Sequence, residues 1–369
     1  MTTASLSVGE GARPAAEARG RRAVRLWLFS VAALVALMVL VGGATRLTES
    51  GLSITEWKPI TGALLPMSET AWLAEFEKYK QIPQYALLNE GMTLAQFKHI
   101  YLWEWGHRLL GRLIGLVYLL PLVYFAIRGD VRGKLLAGLL AIGILGGLQG
   151  AIGWIMVASG LKPGMTAVAP VRLMAHLVTA CLIYVALIWV AVGLKSQPVT
   201  PQERRLAPGA TLVLVLIVLQ IALGALVAGL DAGLVYNTWP LMDGRLVPDT
   251  AALFSVSPWW RNAFETVVTV QFNHRVGGYV LLIAALLHAF AARRAAPGTP
   301  AARRATGMAG IVVVQAALGI TTLVLVVPIW AALLHQGVAI LLLGHASAHR
   351  RLLSAEQGAA APALQPAKA

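Results

Sequence analysis

The sequence predicts an all-α integral membrane protein: eight transmembrane helices forming two tandem four-helix bundles in parallel repeat, with the N and C termini cytoplasmic. Three observations carry this prediction: long apolar runs, positive charge confined to alternate loops, and an internal repeat. Of 369 residues, 58% are hydrophobic and 12% charged, too apolar a balance for an ordinary soluble domain. Mostly apolar runs lie near 26–43, 109–127, 135–157, 173–194, 209–230, 276–292, 306–327 and 329–347. Each has about 18 residues or more, enough to cross roughly 30 Å of hydrocarbon.

A formal net charge of +14 raises nucleic acid as a partner, but the positions of the charges give them another meaning. Arg19, Arg21, Arg22 and Arg25 precede helix one. Arg128, Arg132 and Lys134 follow helix two, and Lys195, Arg204 and Arg205 follow helix four. Arg293, Arg294, Arg303 and Arg304 follow helix six, and Arg350 and Arg351 helix eight. By the positive-inside rule these segments are cytoplasmic and the other loops face outward. Membrane lipid is the expected counter-charge, and no nucleic acid is expected.

The loop after helix one, "TESGLSITEWKPITGALLP", matches the loop after helix five, "LDAGLVYNTWPLMDGRLVP". At a constant offset Gly51 falls on Gly233, Leu52 on Leu234, Trp57 on Trp239, Gly62 on Gly244 and Pro66 on Pro248. Further along, "HRLLGRLIG" from His107 resembles "HRVGGYVLL" from His274, and Gln149 with Gly153 resembles Gln315 with Gly319. An even number of helices per unit returns the chain to its starting side, so the halves share one orientation. The expected organisation is a cytoplasmic tail 1–24, a first repeat 25–195, a cytoplasmic linker 196–208, a second repeat 209–349 and a cytoplasmic tail 350–369. Helix one has a counterpart in helix five, so it is part of the fold and not a cleaved signal peptide. Cys181, the single cysteine, falls within helix four as a small apolar group.

The outer loop between helices one and two runs to roughly 60 residues, long enough to need structure of its own. Trp72, Phe76 and Tyr79 share one face at helical spacing, which predicts a short amphipathic helix on the membrane surface. Thr93 with Gln96 is a capping box opening a helix towards Glu104. In helix three, Gly143, Gly147, Gly146 and Gly150 stand at GxxxG spacing, a packing feature.

Of eight histidines, His288, His345 and His349 lie near cytoplasmic helix ends, where water or headgroups can meet them. His99 is in the outer loop without a counterpart. The other four form a pattern: His107 opens helix two, His176 lies early in helix four, His274 opens helix six and His335 lies early in helix eight. All four helices run inward, so all four histidines sit in the outer leaflet, one pair per repeat. Ionisable residues inside a membrane are costly and point to function. A structural zinc site wants four ligands, usually with thiolate. Haem iron needs two axial ligands, and its flat ring fits between helices, so each half reads as a bis-histidine haem pocket. Arg108, Arg275, Arg46 and Arg172 either meet propionates or snorkel to headgroups.

The first half carries Glu104, His107, Arg108 where the second has Gln271, His274, Arg275. Glu104 and His107, at i and i+3, share a helix face. Glutamine keeps the shape but exchanges no proton near neutral pH. The asymmetry suggests chemistry at the first pocket and a resident cofactor at the second; a salt bridge from Glu104 to Arg108, or an exposed Glu104, is the plainer alternative.

These residues resemble the haem A synthase family, membrane enzymes that convert haem O to haem A. The resemblance runs from about Arg25 to Arg351 and rests on "GGATRLTESGLSITEWKPITGALLP", "FEKYKQIPQY", "EWGHRLLGR", "GLVYNTWPLMDG", "QFNHRVGGY" and the four histidines. It implies haem b as cofactor on His274 and His335, and substrate haem on His107 and His176. It implies that Glu104 is catalytically important, and that the C8 methyl of haem O is oxidised through hydroxylated intermediates to a formyl group. The outer loops lack the cysteine pairs of some members, so the chain resembles the alphaproteobacterial and mitochondrial branch. The N-terminus, with Glu10 and Glu17 among Ala, Gly and Arg, makes a poor transit peptide, which favours a bacterial inner membrane with the haem sites towards the periplasm. Haem O is the expected substrate; haem O synthase, an electron-transfer partner and a second copy of the chain are candidate partners. A di-haem b electron carrier is the alternative, but it would place its haems in opposite leaflets. A transporter with histidines in its path would hold no stoichiometric haem.

Overall fold

A computed structural model describes residues 12–195 and 198–354, with side chains from Glu17 onward. Residues 1–11 and 355–369 of the two expected tails, including Glu10, and Ser196 and Gln197 of the expected linker lie outside the described residues. Among the described residues there is no β-strand, and eight helices are long and apolar enough to cross a membrane. They are α1 (Ala12–Leu47), α2 (Leu94–Ile127), α3 (Gly133–Gly160), α4 (Pro170–Gly193), α5 (Ala207–Gly229), α6 (Val267–Ala295), α7 (Pro300–Val324) and α8 (Ile329–Leu352).

The helices overrun the apolar runs because hydropathy marks where lipid ends, whereas caps and propensity mark where a helix ends. α1 starts by Ala12, well inside the segment expected as a tail through residue 24; the stretch from Ala12 to Arg25 is rich in Ala and Arg, good helix formers. α2 has 34 residues, roughly 50 Å at 1.5 Å per residue, so it projects beyond the bilayer. Its start is the predicted capping box: Gln96 N–H donates to Thr93 Oγ1 (3.3 Å) and Thr93 N–H to Gln96 Oε1 (2.8 Å).

Four helices make the centre. α1 packs on α4, α4 on α5, α5 on α8 and α8 on α1, while α2, α3, α6 and α7 stand outside them. One apolar cluster runs through this centre, drawing Leu28 and Val31 from α1, Cys181 and Leu187 from α4, Val213 and Ile217 from α5, and Leu342 and Leu343 from α8. Across the α1–α8 seam Gln336 Nε2 donates to the Val39 carbonyl (2.9 Å). At the outer end Arg46 joins α1 to the end of α5, donating to the Ala228 carbonyl and pairing with Asp231 (2.6 Å).

The outer loop forms a second core. A helix spans Glu69–Lys80, as the spacing predicts, but its aromatic face turns onto the projecting part of α2, not onto lipid. Phe76 stacks on Phe97 (4.8 Å between centroids), Tyr79 lies 5.4 Å from Phe97, and Trp72 meets Tyr101 edge-on at 5.0 Å. The overrun of α2 supplies the partner that the helix would otherwise have found in the bilayer. At the end of the bundle away from this loop the three histidines expected to meet water or headgroups are paired instead. His288 Nε2 and His349 Nε2 are 3.0 Å apart with both residues buried, and His345 Nε2 lies 2.9 Å from the Arg304 carbonyl.

Around the loop, Glu56 contacts Lys58 and Lys78 (2.7 Å each), and Glu75 contacts the same two lysines (3.0 and 2.9 Å). Hydrogen bonds from Lys58 and then Lys78 pull the Glu56 carboxyl down to about 2, and the bond to Glu56 pushes Lys58 up. A depressed carboxyl stabilises the fold above its ordinary value and loses that effect as pH falls. Resistance of the loop to limited proteolysis should therefore hold above pH 4.5 and decline towards pH 2. The effect should be modest and weakened by high salt, because Glu56 is half exposed; a loop equally resistant at pH 2.5 and pH 6 would contradict it.

Candidate functional site

Each of the four expected histidines fits against a glycine on the preceding long helix. A Cβ built on Gly153 of α3 would come within 2.8 Å of His176 Cε1 on α4, and one on Gly319 of α7 within 2.9 Å of His335 Cε1 on α8. On Gly42 of α1 it would lie 3.1 Å from His107 Nε2 on α2, and on Gly224 of α5 3.1 Å from His274 Cε1 on α6. Only hydrogen at these positions lets the imidazole edge approach the neighbouring backbone. His176 and His335 are each six residues beyond the first residue of their helix, Pro170 and Ile329. The glycine contact thus recurs twice in each half of the chain, at His107 and His176 and again at His274 and His335.

Three of the rings carry an amide partner from the helix that supplies the glycine. Gln149 Nε2 donates to the His176 carbonyl (2.8 Å) and lies 3.1 Å from His176 Nδ1. Gln220 does the same at His274 (2.8 and 3.1 Å), and Gln315 at His335 (2.9 and 3.1 Å). Each glutamine is four residues before its glycine, hence on the same helix face. In all three the amide oxygen is buried with no donor, a deficit worth about 1–3 kcal/mol each. Ligation through Nε2 leaves the ring proton on Nδ1, so the amide would then keep its N–H on the histidine carbonyl and give up its contact with Nδ1. The residues present thus fit histidine ligation with the amide holding the backbone of the ligand. Among the described residues no three His, Cys, Asp or Glu side chains gather where a metal ion could sit, which suits an iron that arrives with equatorial nitrogens of its own.

Glu104 is 3% exposed and fully partnered. One carboxylate oxygen accepts from Ser53 Oγ and from Ile54 N–H, both at 2.8 Å; the other accepts from Arg108 Nη2 (2.6 Å) and Nε (3.1 Å). The plainer sequence alternative is thus half right: Glu104 does pair with Arg108, but it is buried. Gln271 is equally buried and uses the opposite polarity, its Nε2 donating to the Ala232 and Val235 carbonyls (2.7 and 2.5 Å) and its Oε1 accepting from Arg275 Nη2 (3.0 Å). Glutamate faces a loop that donates and glutamine a loop that accepts, so the difference between them matches the loops as well as any chemistry.

Each of the four arginines has hydrogen-bond partners within the protein. Arg108 donates to the Ile54 and Glu56 carbonyls (2.8 and 2.9 Å), and its guanidinium lies 5.9 Å from the Trp154 ring, on which Trp57 stacks at 6.1 Å. Arg275 donates to the Tyr236 and Thr238 carbonyls (2.6 and 2.9 Å), and Arg172 to the Ile155 carbonyl (3.0 Å). With Arg46 on the Ala228 carbonyl and Asp231, every one of them fastens a loop or a helix end. Sequence reasoning missed Gln220, Gly224 and Gly42, although a glutamine four residues before a glycine recurs in α3, α5 and α7.

Residues 25–347 match the model of the COX15-CtaA family, described as cytochrome oxidase assembly protein. The chain is 57% identical over 361 residues to a protein of Methylobacterium sp. (strain 4-46) named heme A synthase, covering 97% of this chain and all of the relative. Proteins of the same name from Azorhizobium caulinodans and Bradyrhizobium sp. (strain ORS 278) are 55% and 54% identical, covering 90% and 95% of this chain and 94% and 97% of theirs. No solved structure matches.

The glycine contacts give a direct test. Gly319→Ala places a methyl group 2.9 Å from the His335 ring, whereas Gly310→Ala on the same helix meets nothing within 4 Å. Purified Gly319→Ala protein should hold clearly less haem per chain than wild type and Gly310→Ala the same amount, measured as pyridine haemochrome; equal haem in both variants would count against His335 as a ligand.

Proposed function

We infer that this chain, which belongs to the COX15-CtaA family of cytochrome oxidase assembly proteins, is a haem A synthase: a multi-pass membrane enzyme acting on haem O. The observation that carries the reading is the coincidence of that membership with two pairs of glycine-cradled histidines at the outer end of the bundle.

In this reading the enzyme is an oxidoreductase that converts the C8 methyl of haem O by successive hydroxylation to a formyl group, yielding haem A for cytochrome oxidase. His107 and His176 would hold the iron of the substrate, and His274 and His335 haem b, which when bound would supply one-electron redox chemistry. The work of the chain is to bind and orient. Gln149, Gln220 and Gln315 fix the ring planes of three ligands. Glu104 serves the catalytic step by position: through Ser53, Ile54 and Arg108 it fastens the outer loop beside the first pocket. Trp57 and Trp154, stacked under the Arg108 guanidinium, limit the access of water there.

We read the two halves as parallel repeats, supported by the like contacts of Gln149 with His176 and Gln315 with His335. The membrane is a bacterial inner membrane with termini cytoplasmic and haem sites periplasmic, supported by the arginine-rich alternate loops. The partners are haem O synthase, an electron-transfer protein and a second copy of the chain.

The test is chromatography with mass detection of haems from membranes of a host that makes haem O, with and without the protein. Haem A or its hydroxylated precursor should appear only with it; haem O left unchanged beside a folded, haem b-loaded protein and a competent electron partner would favour an electron carrier. Glu104→Gln should keep the C-terminal haem and lose completed oxidation, because an amide nitrogen would then confront the Ile54 N–H or leave Arg108 unpaired. Full haem A output from that variant would remove Glu104 from the catalytic step. His274→Ala should lose haem b, and full haem content there would move the cofactor elsewhere.

A further inference from the structure

The glutamine-to-glycine spacing occurs three times and fails once. Gln149 precedes Gly153, Gln220 precedes Gly224 and Gln315 precedes Gly319, each by four residues; before Gly42 the residue at that spacing is Met38. The substitution is spatial as well as sequential. Gln220 Nε2 would lie 3.5 Å from a Cβ on Gly278, four residues beyond His274, and Met38 Cε lies 3.4 Å from a Cβ on Gly111, four residues beyond His107. Met38 thus occupies, on α1, the place that Gln220 occupies on α5. Methionine and glutamine have similar length, but the thioether has no N–H to hold the histidine carbonyl or to meet Nδ1. Among the described residues nothing hydrogen-bonds the His107 ring, whereas His176, His274 and His335 each have their amide.

We propose that Met38 makes His107 the releasable ligand: the one axial histidine without a helix-to-helix tether marks the site that takes up substrate and lets product go, while Gln220 and Gln315 hold the resident haem from both sides. This rests on the haem assignment above. An outer partner that holds a ligating histidine in place strengthens its bond to the metal, and removing such a partner commonly weakens a metal site 10- to 100-fold. A site that must turn over needs one weak bond; a site that keeps its cofactor needs none. His176, still tethered by Gln149, keeps the incoming iron in register while the bond to His107 forms and breaks. The three glutamines touch their histidines and Met38 stands at the matching place on α1, so all four are positioning residues.

The test uses full-length protein in detergent, loaded with haem B as the probe at both sites and mixed with excess apomyoglobin as acceptor, with release followed in the Soret band. Wild type should release haem in two phases, the faster abolished by His107→Ala. Met38→Gln should slow that phase at least tenfold. Gln220→Met should speed the slower phase by a similar factor and move the midpoint potential of the resident haem, because a histidine freed from its carbonyl tether changes its orientation to the iron. A folded Met38→Gln protein whose fast phase is unchanged, while His107→Ala still abolishes it, overturns the role of Met38 and leaves the haem assignment standing. If Met38→Gln does not fold, Gln220→Met decides, and unchanged release with unchanged potential overturns the tether. Should neither His107→Ala nor His274→Ala alter haem release, the haem assignment itself fails.

Discussion

How closely a helix backbone can approach an imidazole ring sets the geometry at the end of this bundle that the loops after α1 and α5 cover. Gly42, Gly153, Gly224 and Gly319 each admit a ring edge that a single methyl group would displace. The approach fixes the distance between neighbouring helices, the depth of the ring, and the line along which a glutamine one turn away can reach it. Glycine inside a helix weakens it by about 1 kcal/mol relative to alanine; in a membrane, where helix hydrogen bonds are protected from water, that loss is more easily carried.

The outer loops depend on the same helices from the other side. Glu104 and Gln271 stand one turn before His107 on α2 and His274 on α6, and each is buried against its own loop with hydrogen bonds of opposite sense. Arg108 and Arg275 then close the loops by donating to their carbonyls. A glycine-cradled histidine and the anchor of the loop above it are thus carried on successive turns of one rigid rod and share a single alignment.

Much of this was legible in the sequence, and the part that was not has a common cause. Periodicity and charge are local, so the eight spans, the capping box at Thr93 and the helix over Glu69–Lys80 could be read directly. The four histidines stood out because polar residues in apolar helices do. Contacts across the bundle left no such mark. Glu104 meets Ser53 and Ile54 some fifty residues away, and His288 meets His349 from another helix. The aromatic face of the loop helix could not be assigned to lipid or protein until α2 was seen to extend far enough to receive it. Gln220 was overlooked although its spacing to Gly224 repeats that of Gln149 and Gln315, since the only other polar side chain of α5, Thr211, lies near the far end of the helix.

The seam between α1 and α8 bears on whether the molecule can be divided. Gln336, the neighbour of His335, ends on the carbonyl of Val39, the neighbour of Met38, and one apolar cluster passes through helices of both halves. Neither half is a self-contained cartridge: cutting the chain between them would strip the inner faces of α1, α4, α5 and α8 at once. Duplicated ancestry, if the repeat records it, has been overwritten by fusion into one indivisible body, in which the backbone beside one histidine pair is fastened directly to the helix that carries the other.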